Sequence, residues 1–259
     1  MKIIAAGILP LLLLFFCLSC SKKIEPTPPP IQKIPETVTP EKQKLTTECE
    51  GGKMNACHDL GALEEKSGNV PEARRLFKMV CDSKDQMGCF SLGQLEGDTG
   101  NNVEAMKIFN SLCENKMSTA CAKLGDLEYL GGNSENAKNH YRLACKLKFS
   151  PSCFNLAILE NEAGKTKEGR RLYQLACKNK YMLACVNLGV MELQGKKVKE
   201  AKRLFKLACD NNEMTGCLHL GTIESGSGNK VLARKYLGQA CSSGIDQACN
   251  ALENQFKAQ

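Results

Sequence analysis

An all-α solenoid of helical hairpins is the fold class that this sequence predicts, and three observations predict it. Fourteen cysteines, from Cys49 to Cys249, fall at spacings that alternate 8 and 24 residues without exception, a 32-residue period. The apolar columns in register with them advance in helical steps of three and four residues. A short turn, Ser67-Gly68-Asn69 in the first unit, separates the two apolar stripes of each unit. A period of this size marks stacked repeats, in which neighbours bury a core that no unit can bury alone.

The elements follow in chain order. Residues 3–19 carry no charge, Lys2 is the only basic residue before them, and Leu11–Phe16 form an apolar run. Residues 1–19 therefore read as a secretory signal peptide. A membrane-spanning helix is the competing reading, but the run is short for the ~20 residues a span needs. Cys17-Leu18-Ser19-Cys20 follows. It resembles a bacterial lipobox, with Cys17 where the motif prefers Leu. The resemblance implies that Cys20 is lipidated and becomes the new N-terminus. Ser21 at the next position implies the outer membrane, facing the periplasm or the cell surface. Acyl chains at ~0.8 kcal/mol per buried CH₂ hold a protein on a membrane without a spanning helix.

Residues 20–48 hold the lipidation cysteine and a tether. Six of the nine prolines lie there (Pro26, Pro28, Pro29, Pro30, Pro35 and Pro40). Such a segment cannot bury a core and is expected to be extended. A Pro-rich ligand for an aromatic groove is the alternative.

Residues 49–259 carry the repeat, six full units and a terminal half. Leu60, Leu92, Leu124, Leu156, Leu188, Leu220 and Leu252 follow the second Cys of each pair by three. Gly61, Gly93, Gly125, Gly189 and Gly221 come next, with Ala157 in the fourth unit. Ala73, Leu76, Phe77 and Val80 form the stripe of a second helix. Glycine in the turn ends the first helix. Asn69 is placed to cap the second, with Glu72 three residues on. Small residues in the Gly and Ala columns allow the two backbones to approach.

The pattern Leu-Gly…Ala…Phe/Tyr…Ala resembles tetratricopeptide repeats. The spacing in Leu-Ala-Cys-Val-Asn-Leu-Gly at 183–189 is more similar to Sel1-like repeats, in particular to the Helicobacter cysteine-rich protein family, whose inter-helix turn is longer. The resemblance spans 49–259 and implies a right-handed α/α solenoid that binds a protein or peptide on its concave face. It also brings an alternative, since some members of that family are described as β-lactamases or penicillin binders. One Ser-x-x-Lys, Ser227-Gly228-Asn229-Lys230, occurs, in an ordinary inter-helix position.

Sixteen cysteines do not suit a reducing compartment unless they bind metal. No Cys-x-x-Cys occurs and the three histidines sit apart, so zinc has little support and neither metal nor cofactor is expected. With Cys17 removed and Cys20 lipidated, fourteen remain. Pairing across the 8-residue gap joins Cys49–Cys57, Cys81–Cys89, Cys113–Cys121, Cys145–Cys153, Cys177–Cys185, Cys209–Cys217 and Cys241–Cys249, with no orphan. Pairing across 24 leaves Cys49 and Cys249 alone, although Cys57 and Cys81 also lie within reach in one hairpin.

Charge narrows function further. Lys and Arg exceed Asp and Glu by 35 to 28, and 5% of residues are aromatic. That balance argues against nucleic acid as a partner, because its binders concentrate basic residues on one face. Glu64, Glu96, Glu128, Glu160, Glu192 and Glu224 form an acidic column, and Arg74, Lys138, Arg170, Lys202 and Arg234 a basic one. They are expected to pair as a ladder between helices, since single carboxylates one repeat apart cannot share a cation. By analogy with tetratricopeptide repeats, groove residues lie one and two places after the second Cys. The candidates for binding a partner are Phe90, Phe154, Asn155, Asn187 and Leu218, with the two asparagines bonding an extended backbone.

Overall fold

Each stripe read from the sequence closes into a helix, and each helix packs on the next in the chain. The structure, a computed structural model, describes residues 39–256. The leader, Cys20 and the tether through residue 38 lie outside the described residues. The even-numbered helices carry the second Cys of each pair: α2 (Met54–Lys66), α4 (Gln86–Asp98), α6 (Ser118–Leu130), α8 (Ser150–Glu162), α10 (Met182–Gln194) and α12 (Met214–Gly226). The odd-numbered helices carry the Ala–Phe stripe: α3 (Val70–Asp82), α5 (Asn102–Glu114), α7 (Ser134–Lys146), α9 (Thr166–Lys178), α11 (Val198–Asp210) and α13 (Lys230–Ser242). A half-unit stands at each end, α1 (Pro40–Glu50) and α14 (Asp246–Phe256). Among the described residues there is no strand. Contacts run almost wholly between consecutive helices, the one-dimensional packing of a solenoid.

The solenoid begins earlier than residue 49. Residues 40–48, expected in the extended tether, form most of α1. Pro40 opens the helix, where its missing N–H costs nothing. Leu45 then packs against the cluster of Cys49, Cys57, Leu60 and Val80, and Lys42 pairs with Glu64 at 3.0 Å. This helix takes the place of the second helix of a unit and carries the first Cys of the first pair.

All seven disulfides span 8 residues, with Cα atoms 4.3–4.7 Å apart. Each links the end of an odd helix to the first turns of the next even helix. The staple therefore crosses from one hairpin to the next, as the 8-residue pairing requires. Each such loop contributes roughly 2–3 kcal/mol in the chain-entropy model.

Close approach within a hairpin depends on the Gly column. A Cβ at Gly61, Gly125 or Gly189 would lie 2.7–2.8 Å from the ring of Phe77, Tyr141 or Phe205. The rings of α3, α5, α7 and α11 thus sit directly on the backbone of their even neighbours, where a side chain would force the helices apart; the fourth unit carries Ala157 in this column, and α13 has Leu237 in place of the ring.

Of the four turn asparagines, Asn229 caps its helix as expected, accepting from Leu232 N at 3.5 Å, and the other three do not. Asn69, Asn101 and Asn133 accept no capping bond. Their Nδ2 atoms instead donate to the carboxylates of Glu64 (2.8 Å), Glu96 (3.0 Å) and Glu128 (3.0 Å). Those carboxylates explain the preference. The six column glutamates are 2–8% exposed, and a buried charge has to be paired. The second partner comes from the preceding unit: Lys42 to Glu64, Arg74 to Glu96 at 2.6 Å, Arg170 to Glu192, and Lys202 to Glu224 at 2.8 Å. The expected ladder is present, with two irregular rungs. Lys138 turns to Glu135 (2.6 Å), and Glu160 is held by Arg142 (3.1 Å) and Lys165 (3.5 Å). At the equivalent place before Glu128 stands Met106, half-buried.

Two substitutions measure a rung. Met106→Arg supplies the missing cation to Glu128 and should raise stability by about 1–2 kcal/mol. Arg74→Met leaves Glu96 with Asn101 alone and should lower it by about 1–2 kcal/mol, less than for a fully buried pair because Arg74 is 39% exposed. Thermal and urea unfolding of the non-reduced protein reads both.

Candidate binding groove

On an α-helix, successive residues turn by ~100°, so neighbours in sequence face different partners. The first residue after the second Cys packs inward here. Phe90 sits on Phe109 with ring centroids 5.6 Å apart, and Phe154 lies 5.6 Å from Tyr173 and 5.3 Å from Tyr181. Leu218 packs, half-buried, against the main core. The second residue after the Cys faces the groove between even helices. Asn155 and Asn187 both line it.

Three hollows lie along this face in the same register. The first, about 500 Å³, is bounded by Gln94 and Asp98 of α4, Phe109, and Lys123, Asp126 and Leu130 of α6. The second, about 380 Å³, is bounded by Asp126, Tyr129 and Leu130 of α6, Tyr141, and Asn155, Ile158 and Leu159 of α8. The third, about 430 Å³, is bounded by Asn161 of α8, Tyr173, and Asn187, Val190 and Gln194 of α10. In each, the floor is the ring of an odd helix and the walls are two even helices one unit apart.

The central hollow is the most apolar of the three in its lining. Leu130 is 81% and Tyr129 46% exposed, which is unusual for large apolar side chains facing one concavity. Its polar groups are fixed. Tyr141 Oη donates to Asp126 Oδ1 at 2.8 Å, and Asn155 donates to the same phenol. Burial, and then the bond to Asp126, push the Tyr141 phenol up, so it stays a donor at any ordinary pH. Asn187 Nδ2 donates to Tyr173 Oη at 3.2 Å in the third hollow. Each asparagine is therefore oriented by a tyrosine of the preceding unit.

Of the five residues the sequence assigns to the groove, Asn155 and Asn187 line it, and Asp126, Tyr129, Leu130 and Ile158 line it without having been among them. The missing signal was available: from Asn155, steps of three and four lead to Ile158 and Leu159 on the same face. Ser227 ends α12, and its hydroxyl donates to the Ile223 carbonyl at 2.8 Å rather than meeting Lys230.

Comparison with solved structures follows the same architecture. A Sel1 repeat protein from Oxalobacter formigenes matches at 17% identity and a TM-score of 0.57, over 78% of this chain and 97% of that one. The chain has the Sel1-like repeat fold. The protective antigen c5321 of uropathogenic Escherichia coli strains, which displays an SLR fold, matches at 18% identity and a TM-score of 0.65, over 80% of this chain. The match spans half the length of c5321. The APC/C hetero-tetramer Cut9–Hcn1 matches at 14% identity and a TM-score of 0.54, over 83% of this chain and 46% of that one. No family model and no curated protein matches the sequence. At these identities the likeness concerns the Sel1-like fold.

Two histidines of this Sel1-like solenoid couple its stability to pH. His219 stacks on Phe205 at 4.9 Å, and burial holds its imidazole below the usual range. Burial does the same to His140, opposed by the charge of Glu128. Both rings fold in the neutral form. The stabilisation is complete above the unfolded value of ~6.5 and is lost as pH falls through the lower folded values. Glu96, which its bonds with Arg74 hold below the carboxylate range, has the same sign but acts only under pH 4.5. Between pH 7.5 and 5.5 the melting temperature should fall, and His219→Phe should flatten that fall.

Proposed function

We propose that this chain is a lipid-anchored extracytoplasmic scaffold that binds an extended protein segment along its even-helix face. The central hollow carries the reading. It joins exposed Tyr129 and Leu130 to Ile158 and to the oriented polar groups of Asp126 and Asn155, between two hollows of the same register. Adjacent units of packed helices repeat at about 10 Å. A polyproline-type segment advances ~3.1 Å per residue with three residues per turn, so every third side chain would meet the next hollow. Sites of this kind combine an apolar body with a few placed polar groups. The anchoring rests on the leader and on the Cys17–Cys20 lipobox. No feature of the structure favours the hydrolase alternative.

Purified protein serves as bait in a membrane extract, and the captured partner is then measured against variants. Leu130→Asp with Ile158→Asp removes about 3 kcal/mol of apolar burial in the complex, so binding should weaken on the order of a hundredfold with the fold intact. Unchanged affinity in that double variant moves the site elsewhere. Phe154→Ala should act differently, lowering stability by about 2–3 kcal/mol because its ring is packed in the hairpin. Cys20→Ala should abolish labelling with palmitate and leave the precursor uncut, which a labelled cell fraction shows directly.

A further inference from the structure

The two kinds of turn in this solenoid share one backbone geometry and use different residues for it. Both end a helix with one residue in the left-handed region. In the even-to-odd turns that residue is Gly68, Gly100, Gly132, Gly164 and Gly228, at φ 75–84°, with Lys196 the one exception. In the odd-to-even turns it is Lys84, Lys116, Lys148 and Lys180, at φ 64–70°, in four successive units, then Asn212. Glycine takes this conformation without strain and lysine does not. Gly52 and Gly244 hold the same place in the two outermost turns, so the position accepts glycine. A cation near a helix C-terminus is favoured by the helix dipole, but that holds equally for both kinds of turn. The dipole therefore does not explain why lysine recurs on one edge and stands once on the other.

All four side chains are exposed. Among the described residues none of them forms an ion pair, although acidic neighbours exist. Asp82 is engaged by Lys78 at 3.1 Å, Asp85 caps α4 through Met87 N and Gly88 N, and Glu114 accepts from Asn110 at 2.8 Å. Around Lys148 and Lys180 there are no acids within the disulfide loops, and Lys146 and Lys178 add two more exposed cations. At about 10 Å per unit the row extends roughly 30 Å along one edge.

From this strained, unpaired row we infer that the odd-to-even edge is a docking surface for an anionic membrane. The row projects from the tips of turns. A flat array of headgroups can meet every tip at once, whereas a threaded chain needs a groove around it. Lysines near such a surface gain about 1 kcal/mol each, roughly fivefold in partition per residue. The inference is independent of the groove.

Flotation of the full chain with vesicles of phosphatidylcholine, with and without 30% phosphatidylglycerol, tests it. The N-terminal segment contributes equally to every variant, so the readout is the preference for the anionic vesicles. Wild type should prefer them strongly at low salt and lose the preference at high salt. The quadruple Lys→Gln variant (84, 116, 148 and 180) should lose that preference by on the order of a hundredfold. Quadruple Lys→Arg should keep it. Quadruple Lys→Gly should lose it and melt at a higher temperature, because the strain is relieved. A Lys→Gln variant that still prefers anionic vesicles overturns the proposal. So does lysine-dependent binding to soluble polyphosphate without vesicle binding, which would make the edge a site for a linear polyanion.

Discussion

A carboxylate buried in every unit is the constraint that the rest of the solenoid answers to. Each of the six glutamates is at least nine-tenths covered, so its charge must be met by partners whose positions are thereby fixed. Glu64, Glu96, Glu160 and Glu192 each take one partner from the turn of their own hairpin and a cation from the hairpin before, while Glu128 is met by its turn and Glu224 by the cation. The same atom pair thus sets the entry of the odd helix and the register between units. The disulfides hold the other side of each junction. With both sides fixed, the aromatic rings of α3, α5, α7 and α11 have one place to go, the bare backbone of the glycine column. The groove floor is made of those rings, so the shape of the groove descends from the buried charges.

The parts of this design that repeat were legible in the sequence, and the parts that vary were not. Cys57, Leu60, Gly61, Glu64, Ala73 and Phe77 recur at one period, and each is a contact within or between units. The pairing of the cysteines followed from counting orphans. Asn69 misled because two physical roles compete for it: the open N–H groups of α3 and the buried oxygen of Glu64. Desolvation of a full charge outweighs a neutral cap. Residues 40–48 misled because Pro40 marks both a tether and a helix start, and only the tertiary partner Glu64 separates the two.

Variation within the frame is where recognition can differ from unit to unit. Tyr129, Leu130 and Ile158 belong to columns with no consensus, occupied elsewhere by Gly97, Asp98 and Gln94. A search for recurring residues passes over them for that reason. The columns that keep one residue type build the scaffold, and those that change furnish its hollows with different chemistry at equal geometry. Phe90 and Phe154 show the intermediate case. They vary like groove residues, yet a rotation of ~100° turns them inward.

The crossing of each disulfide between hairpins bears on how the protein withstands a proteinase. Lys84, Lys116, Lys148 and Lys180 are exposed sites for a trypsin-like proteinase, and each lies inside an 8-residue loop closed by a cystine. A cut there opens the backbone but leaves the two halves covalently joined. The hairpins on either side stay seated on each other, because the severed peptide was not what held them. Among the turns, the even-to-odd ones have no cystine across them, and there one cleavage divides the molecule.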